Sequence, residues 1–219
     1  MINIDGILSS LAQHRPVFHS EADFQHAFAW EIHRHLPIAS VRLELPVWVK
    51  NRFLHIDIWV VSQDVILAIE LKYKTRALSI KIGNEQYHLK NQGAQDLGRY
   101  DFLKDVQRLE QVSTQYQNFI GYAIFLTNDR SYWSNLTNSN TADADFRLHS
   151  GRVIEGVLAW GKNASDGTKR KREKPIDLQG KYPLQWQDYS HPCSDRHGKF
   201  RILMVNVSGI LHKTDTRNL

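Results

Sequence analysis

The chain has 219 residues, 42% of them hydrophobic and 23% charged, which is the balance of a globular domain large enough to bury a sizeable core. A single cysteine, Cys193, excludes an internal disulfide framework, and no run approaches the roughly 18 apolar residues that a membrane span needs. The net charge of +5 is concentrated in residues 162–174, where Lys162, Lys169, Arg170, Lys171, Arg172 and Lys174 face only Asp166 and Glu173. Such a segment attracts phosphate backbones, or else forms a solvated surface loop.

Residues 1–13 lack a basic stretch followed by an apolar run, so the expectation is a cytoplasmic protein with one domain over 1–219. Residues 19–36 predict a helix. Ser20 is its N-cap, Asp23 stands at the third helical position, Phe24, Ala27, Phe28 and Ile32 form a stripe, and Pro37 stops it. Three runs with period two follow, at 41–47, 54–61 and 65–73, and predict a meander turning near Asn51 and at Gln63–Asp64. Residues 91–116 predict a second long helix and 119–129 a buried strand. A Ser/Thr/Asn-rich loop at 131–145, a strand at 152–160, the basic loop and a last strand at 199–210 complete the chain. The element order suggests an α/β protein with one mixed sheet flanked by helices.

The hairpin between the second and third runs sets the chemistry. A turn centred on Gln63–Asp64 places Ile58 opposite Ile69, Val60 opposite Leu67, and Asp57 opposite Glu70. A slip of one residue destroys the apolar match. Opposed carboxylates repel, by about 4 kcal/mol at 4 Å and an effective dielectric near 20, so the pair asks for a compensating charge. Mg²⁺ is the simplest candidate, with Mn²⁺ as a substitute, because hard cations take one or two carboxylates plus substrate phosphate. Lys72 shares the face of Glu70 and suits the charge that develops in phosphodiester hydrolysis. Glu21 on the first helix is a third acid pointing along the stripe that faces the sheet, with Glu31 and Glu44 as rivals.

Glu21 on an early helix, Asp57 on one strand and Glu70-Leu71-Lys72 on the next, followed by a long helix and a buried strand, resemble the PD-(D/E)XK nuclease superfamily. Ile56 stands where the motif often has proline. The resemblance covers about residues 20–127. It implies a restriction-endonuclease-like core and metal-dependent hydrolysis of nucleic acid, with DNA preferred over RNA and an endonuclease expected. It also implies that Asp57, Glu70 and Glu21 serve the metal and that Lys72 orients or activates water. Gln92, Gln95 and Tyr100 resemble the glutamine and tyrosine after the E-x-K strand in exonuclease-like members, with the Gln95–Tyr100 spacing one residue longer. Lys74, Gln95, Arg99, Tyr100, Lys169, Arg170, Lys171 and Arg172 are therefore candidate nucleic-acid contacts. Double-strand cutting would call for two active sites and hence a homodimer. A non-catalytic nucleic-acid-binding module on the same fold is the alternative, and a partner-binding subunit a third reading.

Other constellations are thinner. His191, Cys193 and His197 lack a second cysteine or a matching pair for zinc. The aromatic stretches at 132–135 and 182–190 suit packing more than base stacking, and no Gly-rich phosphate loop is present.

Overall fold

A computed structural model of the chain describes residues 2–135 and 140–208. The first element is one that the sequence pattern left unassigned: α1 (Ile4–His14), with Ile4, Ile7, Leu8 and Leu11 buried along one stripe and the Asn3 side chain capping Gly6 N. Its stripe is short and carries a glycine, which weakens the helical signal. Helix α2 (Glu21–His35) starts at the expected N-cap, with Ser20 Oγ accepting from Asp23 N at 3.1 Å. Strands β1 (Ser40–Val49), β2 (Arg52–Ser62) and β3 (Val65–Lys74) form the expected meander. Lys50 and Asn51 supply the left-handed pair, φ 46° and 64°, that a two-residue hairpin turn requires.

After β3 the chain makes a small ribbon of β4 (Leu78–Ile82) and β5 (Glu85–Leu89), then helix α3 (Gln95–Ser113) and strand β6 (Phe119–Thr127). A second ribbon pairs β7 (Val153–Leu158) with β8 (Ile176–Pro183), and the one-turn helix α4 (Asp166–Lys169) lies between them. Strands β9 (Trp186–Ser190) and β10 (Phe200–Ser208) complete the described chain. The last two residues of the strand expected at 199–210, and residues 136–139 of the expected 131–145 loop, lie outside the described residues.

The result is an α/β protein with a mixed six-stranded sheet, order β1-β2-β3-β6-β10-β9, and four helices among the described residues. Only β3 and β6 run parallel, joined by the crossover that contains α3. Strand 152–160 was expected in this sheet and instead pairs with β8 in a ribbon of its own. Helices α1 and α2 and the β4–β5 ribbon cover one face; α3 and the β7–β8 ribbon cover the other. Both faces of β3 are therefore buried, and the face of Glu70 is not a solvated one. No helix among the described residues is long and apolar enough to cross a membrane.

The β1–β2 hairpin rotates partway along its length. Leu43, Ile58 and Val60 pack on the α1/α2 side, whereas Leu45, Val47, Leu54 and Ile56 pack with α3. The change falls at Glu44 and Asp57, and Glu44 takes a left-handed φ of 51° there.

On the α3 side, Glu110 is 3% exposed and accepts from Gln179 N, Gly180 N and Tyr182 Oη at 3.0, 2.7 and 2.7 Å. Glu110→Ala strands these three donors. The expected loss is about 2–4 kcal/mol of unfolding free energy, read as a lower denaturant midpoint.

Candidate active site

The β2–β3 register is the one expected, with Ile58 opposite Ile69 and Val60 opposite Leu67. The ladder then stops. Asp57 and Glu70 do not pair through the backbone, because the hairpin turns away from β3 at this point, and the β1–β2 ladder also skips Glu44 and Asp57. Strand β3 continues beside β6 as far as Lys74. Its N–H groups on the vacated edge need acceptors.

Side chains supply them at every second residue. Asp57 Oδ2 accepts from Leu71 N at 2.6 Å, Glu21 Oε2 from Tyr73 N at 2.7 Å, and Gln92 Oε1 from Thr75 N at 2.8 Å. Gln25, one helical turn after Glu21, donates to the Asp57 carbonyl at 2.7 Å and to the Glu44 carboxylate at 2.8 Å. The fork thus gathers Glu21, Asp57 and Glu44 around the base of the β3 edge.

Helix α3 adds two residues that the sequence reading missed. Lys72 Nζ lies 3.0 Å from Asp105 Oδ2, and Arg108 approaches Asp105 Oδ1 at 3.4 Å and Glu70 Oε1 at 3.1 Å. Glu70 is 2% exposed, yet Oε1 accepts no hydrogen bond; Arg108 Nη2 donates to the His55 carbonyl instead. Asp105 was detectable. Gly98, Phe102, Asp105, Leu109 and Val112 form one row at helical spacing, all buried, and Asp105 is the single charge in it.

Four carboxylates, Glu21, Asp57, Glu70 and Asp105, meet two cations, Lys72 and Arg108. Burial pushes the Asp57 carboxyl up to about 6, opposed by the Leu71 N–H and reinforced by the charge of Asp105. Burial, then Asp105, holds Glu70 well above the usual carboxylate range. Burial also raises Asp105, against the pull of Lys72 and Arg108. For Lys72 burial works against the ammonium, but Asp105 and Glu21 outweigh it and keep the group charged.

The remaining expected contacts are scattered. Lys74 follows on the same face of β3, half-buried and with no ion partner among the described residues. Gln95 donates to Asp129 at 2.9 Å. Arg99 is a buried tie: it pairs with Asp143 at 2.6 Å, donates to the Ser131 carbonyl at 2.7 Å and lies over the Tyr132 ring. Tyr100 stacks on Trp160 and donates to the Lys174 carbonyl. Arg99 and Tyr100 are each 4% exposed and bonded within the chain. In the basic loop Arg172 forks onto Asp101 at 2.7 Å and Lys169 pairs with Asp166, while Arg170 and Lys171 are exposed. The segment is docked on α3 rather than loose. Glu31 is buried among Ser10, His14, Arg34 and His35, apart from this cluster.

Among the described residues no three His, Cys, Asp or Glu side chains form a ready metal cage. The donors at the fork nonetheless fit a hard divalent cation: Glu70 Oε1, which accepts no hydrogen bond, and Asp57, with one oxygen on the backbone, are hard carboxylate ligands. Comparison of this chain with models of protein families, with curated proteins and with solved structures gave no match.

The raised Asp57 pKa fixes a sign. In the unfolded chain the carboxyl ionises near 3.9, so between about pH 4 and 6 the folded state binds the extra proton and stability falls as pH rises. In EDTA, Asp57→Asn is expected to stabilise the fold at pH 7.5 by about 1–2 kcal/mol, a few degrees in melting temperature, with the gain vanishing toward pH 4. A gain that is the same at every pH would contradict a strained Asp57.

Proposed function

We propose that this chain is a metal-dependent nuclease of the PD-(D/E)XK type, with a restriction-endonuclease-like core, that hydrolyses phosphodiester bonds, DNA being the favoured substrate. The observation that carries the reading is half-buried Asp57 and buried Glu70 beside Lys72, with more carboxylates than cations around them. A Mg²⁺ or Mn²⁺ ion held by Asp57 and Glu70 would supply a Lewis acid for the phosphodiester.

The chain's own groups do the rest. Lys72 stays protonated, so it acts as a donor that orients the attacking water and meets the developing charge, not as a base. Asp105 positions the Lys72 ammonium, and Arg108 lies against the carboxylates of Glu70 and Asp105. Glu21 uses one oxygen on Tyr73 N and keeps the other for water. A second reading, a non-catalytic nucleic-acid-binding module, draws on the fact that Lys72 and Arg108 are already ion-paired within the chain.

Supercoiled and linear DNA incubated with Mg²⁺, Mn²⁺ or EDTA separates the two. The nuclease reading expects metal-dependent nicking or linearisation of the circle. It also expects a loss of about 10²–10³-fold or more in Asp57→Asn and Lys72→Ala, with folding checked by circular dichroism. Mg²⁺ should raise the melting temperature of the wild type and not of Asp57→Asn. Full activity in either variant would overturn the assignment; salt-sensitive binding without cleavage by the wild type would favour the binding module.

A further inference from the structure

We propose that the cleft at the carboxyl ends of β3 and β6 is a phosphate-binding subsite, which holds the nucleic-acid backbone a few nucleotides from the Asp57–Lys72 site. The proposal rests on the nucleolytic reading of that site. The cleft is about 720 Å³ in volume, and Arg76, Arg130, Arg196, His197 and Ser131 line it together with one acid, Asp129. Three guanidinium groups lining one cleft with a single carboxylate repel one another unless an anion joins them. The guanidinium fork matches phosphate oxygens in shape as well as charge.

The cations are unequally engaged. Arg76 is positioned: its Nε lies 2.9 Å from Asp129 Oδ2 and its Nη1 donates to Asn91 at 3.2 Å. Asp129 is occupied in turn by Gln95 and by Ser131 N, so its charge faces inward. Arg130 engages only Nε, with Ser134 Oγ at 3.2 Å, and Arg196 has no partner among the described residues. Ser131 Oγ, beside the cleft, is shielded from water and makes no hydrogen bond.

The walls are built, not incidental. Asn128, 2% exposed, stitches them together: Oδ1 accepts from Arg76 N at 2.7 Å, and Nδ2 donates to the carbonyls of Arg76 and His197 at 3.3 and 2.9 Å. A buried amide therefore fixes the two chain segments that carry Arg76 and Arg196.

Position ties the cleft to the site. Lys72, Lys74 and Arg76 recur at every second residue, so a line of cations leads from the fork to the cleft. Four residues of extended chain span about 13 Å. That is about four base-pair rises of a duplex. Arg196 and His197 also border a second groove beside Ala77–Ser79, with Asp195 at its rim, so the feature is an elongated track rather than a pocket for one small anion. No Phe, Tyr or Trp lines the cleft among the described residues, so it offers backbone contact without base stacking.

The test is fluorescence anisotropy in EDTA with a short labelled single-stranded DNA and its duplex, across a salt series, using the wild type and the Arg130→Ala/Arg196→Ala double variant. Both side chains are exposed, so the melting temperature should hold. The expected result is about tenfold weaker binding at low salt and a salt slope shallower by about 1–2. Oligonucleotides with 5′-phosphate and 5′-hydroxyl ends separate the two sources of phosphate: a loss confined to the phosphorylated end places a terminal phosphate in the cleft, and an equal loss places an internal one. Unchanged affinity and slope in the double variant would overturn the subsite. If the wild type cleaves no DNA but the double variant still binds less, the nuclease reading falls and the anion subsite stands. If the wild type cleaves and the double variant binds and cleaves alike, the subsite falls alone.

Discussion

The site depends on an interrupted sheet. Strand β3 keeps its partner β6 on one side along its whole length and loses β2 on the other beyond Ile69. Each N–H left unpaired in such a place costs about 1–3 kcal/mol, so the vacated edge has to be capped. It is capped by side chains at 71, 73 and 75. The third cap separates structural need from chemistry. Gln92 serves Thr75 with a neutral amide, so the backbone does not by itself require charge. Carboxylates in the other two positions add repulsion that an amide would have avoided. Placing Asp57 and Glu21 there accepts a cost in stability, and function is the natural counterweight.

Helix α3 shapes how that charge is held. Asp105 brings yet another acid into a crowded site, which is unfavourable as bare electrostatics. Its effect lies on Lys72: the 3.0 Å pair fixes the ammonium near the sheet and keeps it protonated despite burial. Arg108 offsets Glu70 and Asp105 only in part, because Nη2 is also engaged by the His55 carbonyl. That carbonyl belongs to the hairpin arm beyond the bend. Arg108 therefore links the position of the arm to the charge balance at Glu70, and the rotation at Glu44/Asp57 and the electrostatics of the site are one arrangement.

What the sequence disclosed follows the reach of its signals. The hairpin register was legible because Ile58, Val60, Leu67 and Ile69 tolerate no slip when a face is buried. The end of the ladder at Asp57 was not, since it comes from Leu45, Val47, Leu54 and Ile56 packing across α3, a long-range contact. Period two announces a strand without naming its sheet, and β7 was therefore expected in the main sheet and found in a ribbon. Arg99 and Tyr100 show the opposite limit. A spacing pattern suggested substrate contacts, whereas both lie on the buried side of α3, where they tie down Ser131, Asp143 and Lys174. Asp105 was present throughout, visible as the one charge in the row of Gly98, Phe102, Leu109 and Val112.

The distribution of charge follows a consistent order. The basic loop does not float: Arg172 grips Asp101, one helical turn before Asp105, and Arg170 and Lys171 beside it are exposed. At the other end, Lys74 and Arg76 carry the positive line along β3 to the arginine cleft. Between these cationic flanks lies a centre with more carboxylates than cations. Under the nucleolytic reading the flanks draw a phosphate backbone across the fork, while the centre repels the very phosphate that arrives there. Lys72 alone does not remove that conflict, because Asp105 already shares its charge. A divalent cation on Asp57 and Glu70 would remove it, and it would bind best when substrate phosphate completes its oxygen shell. Cation and backbone would then each depend on the other for stable occupancy, which confines the reactive state to the loaded complex.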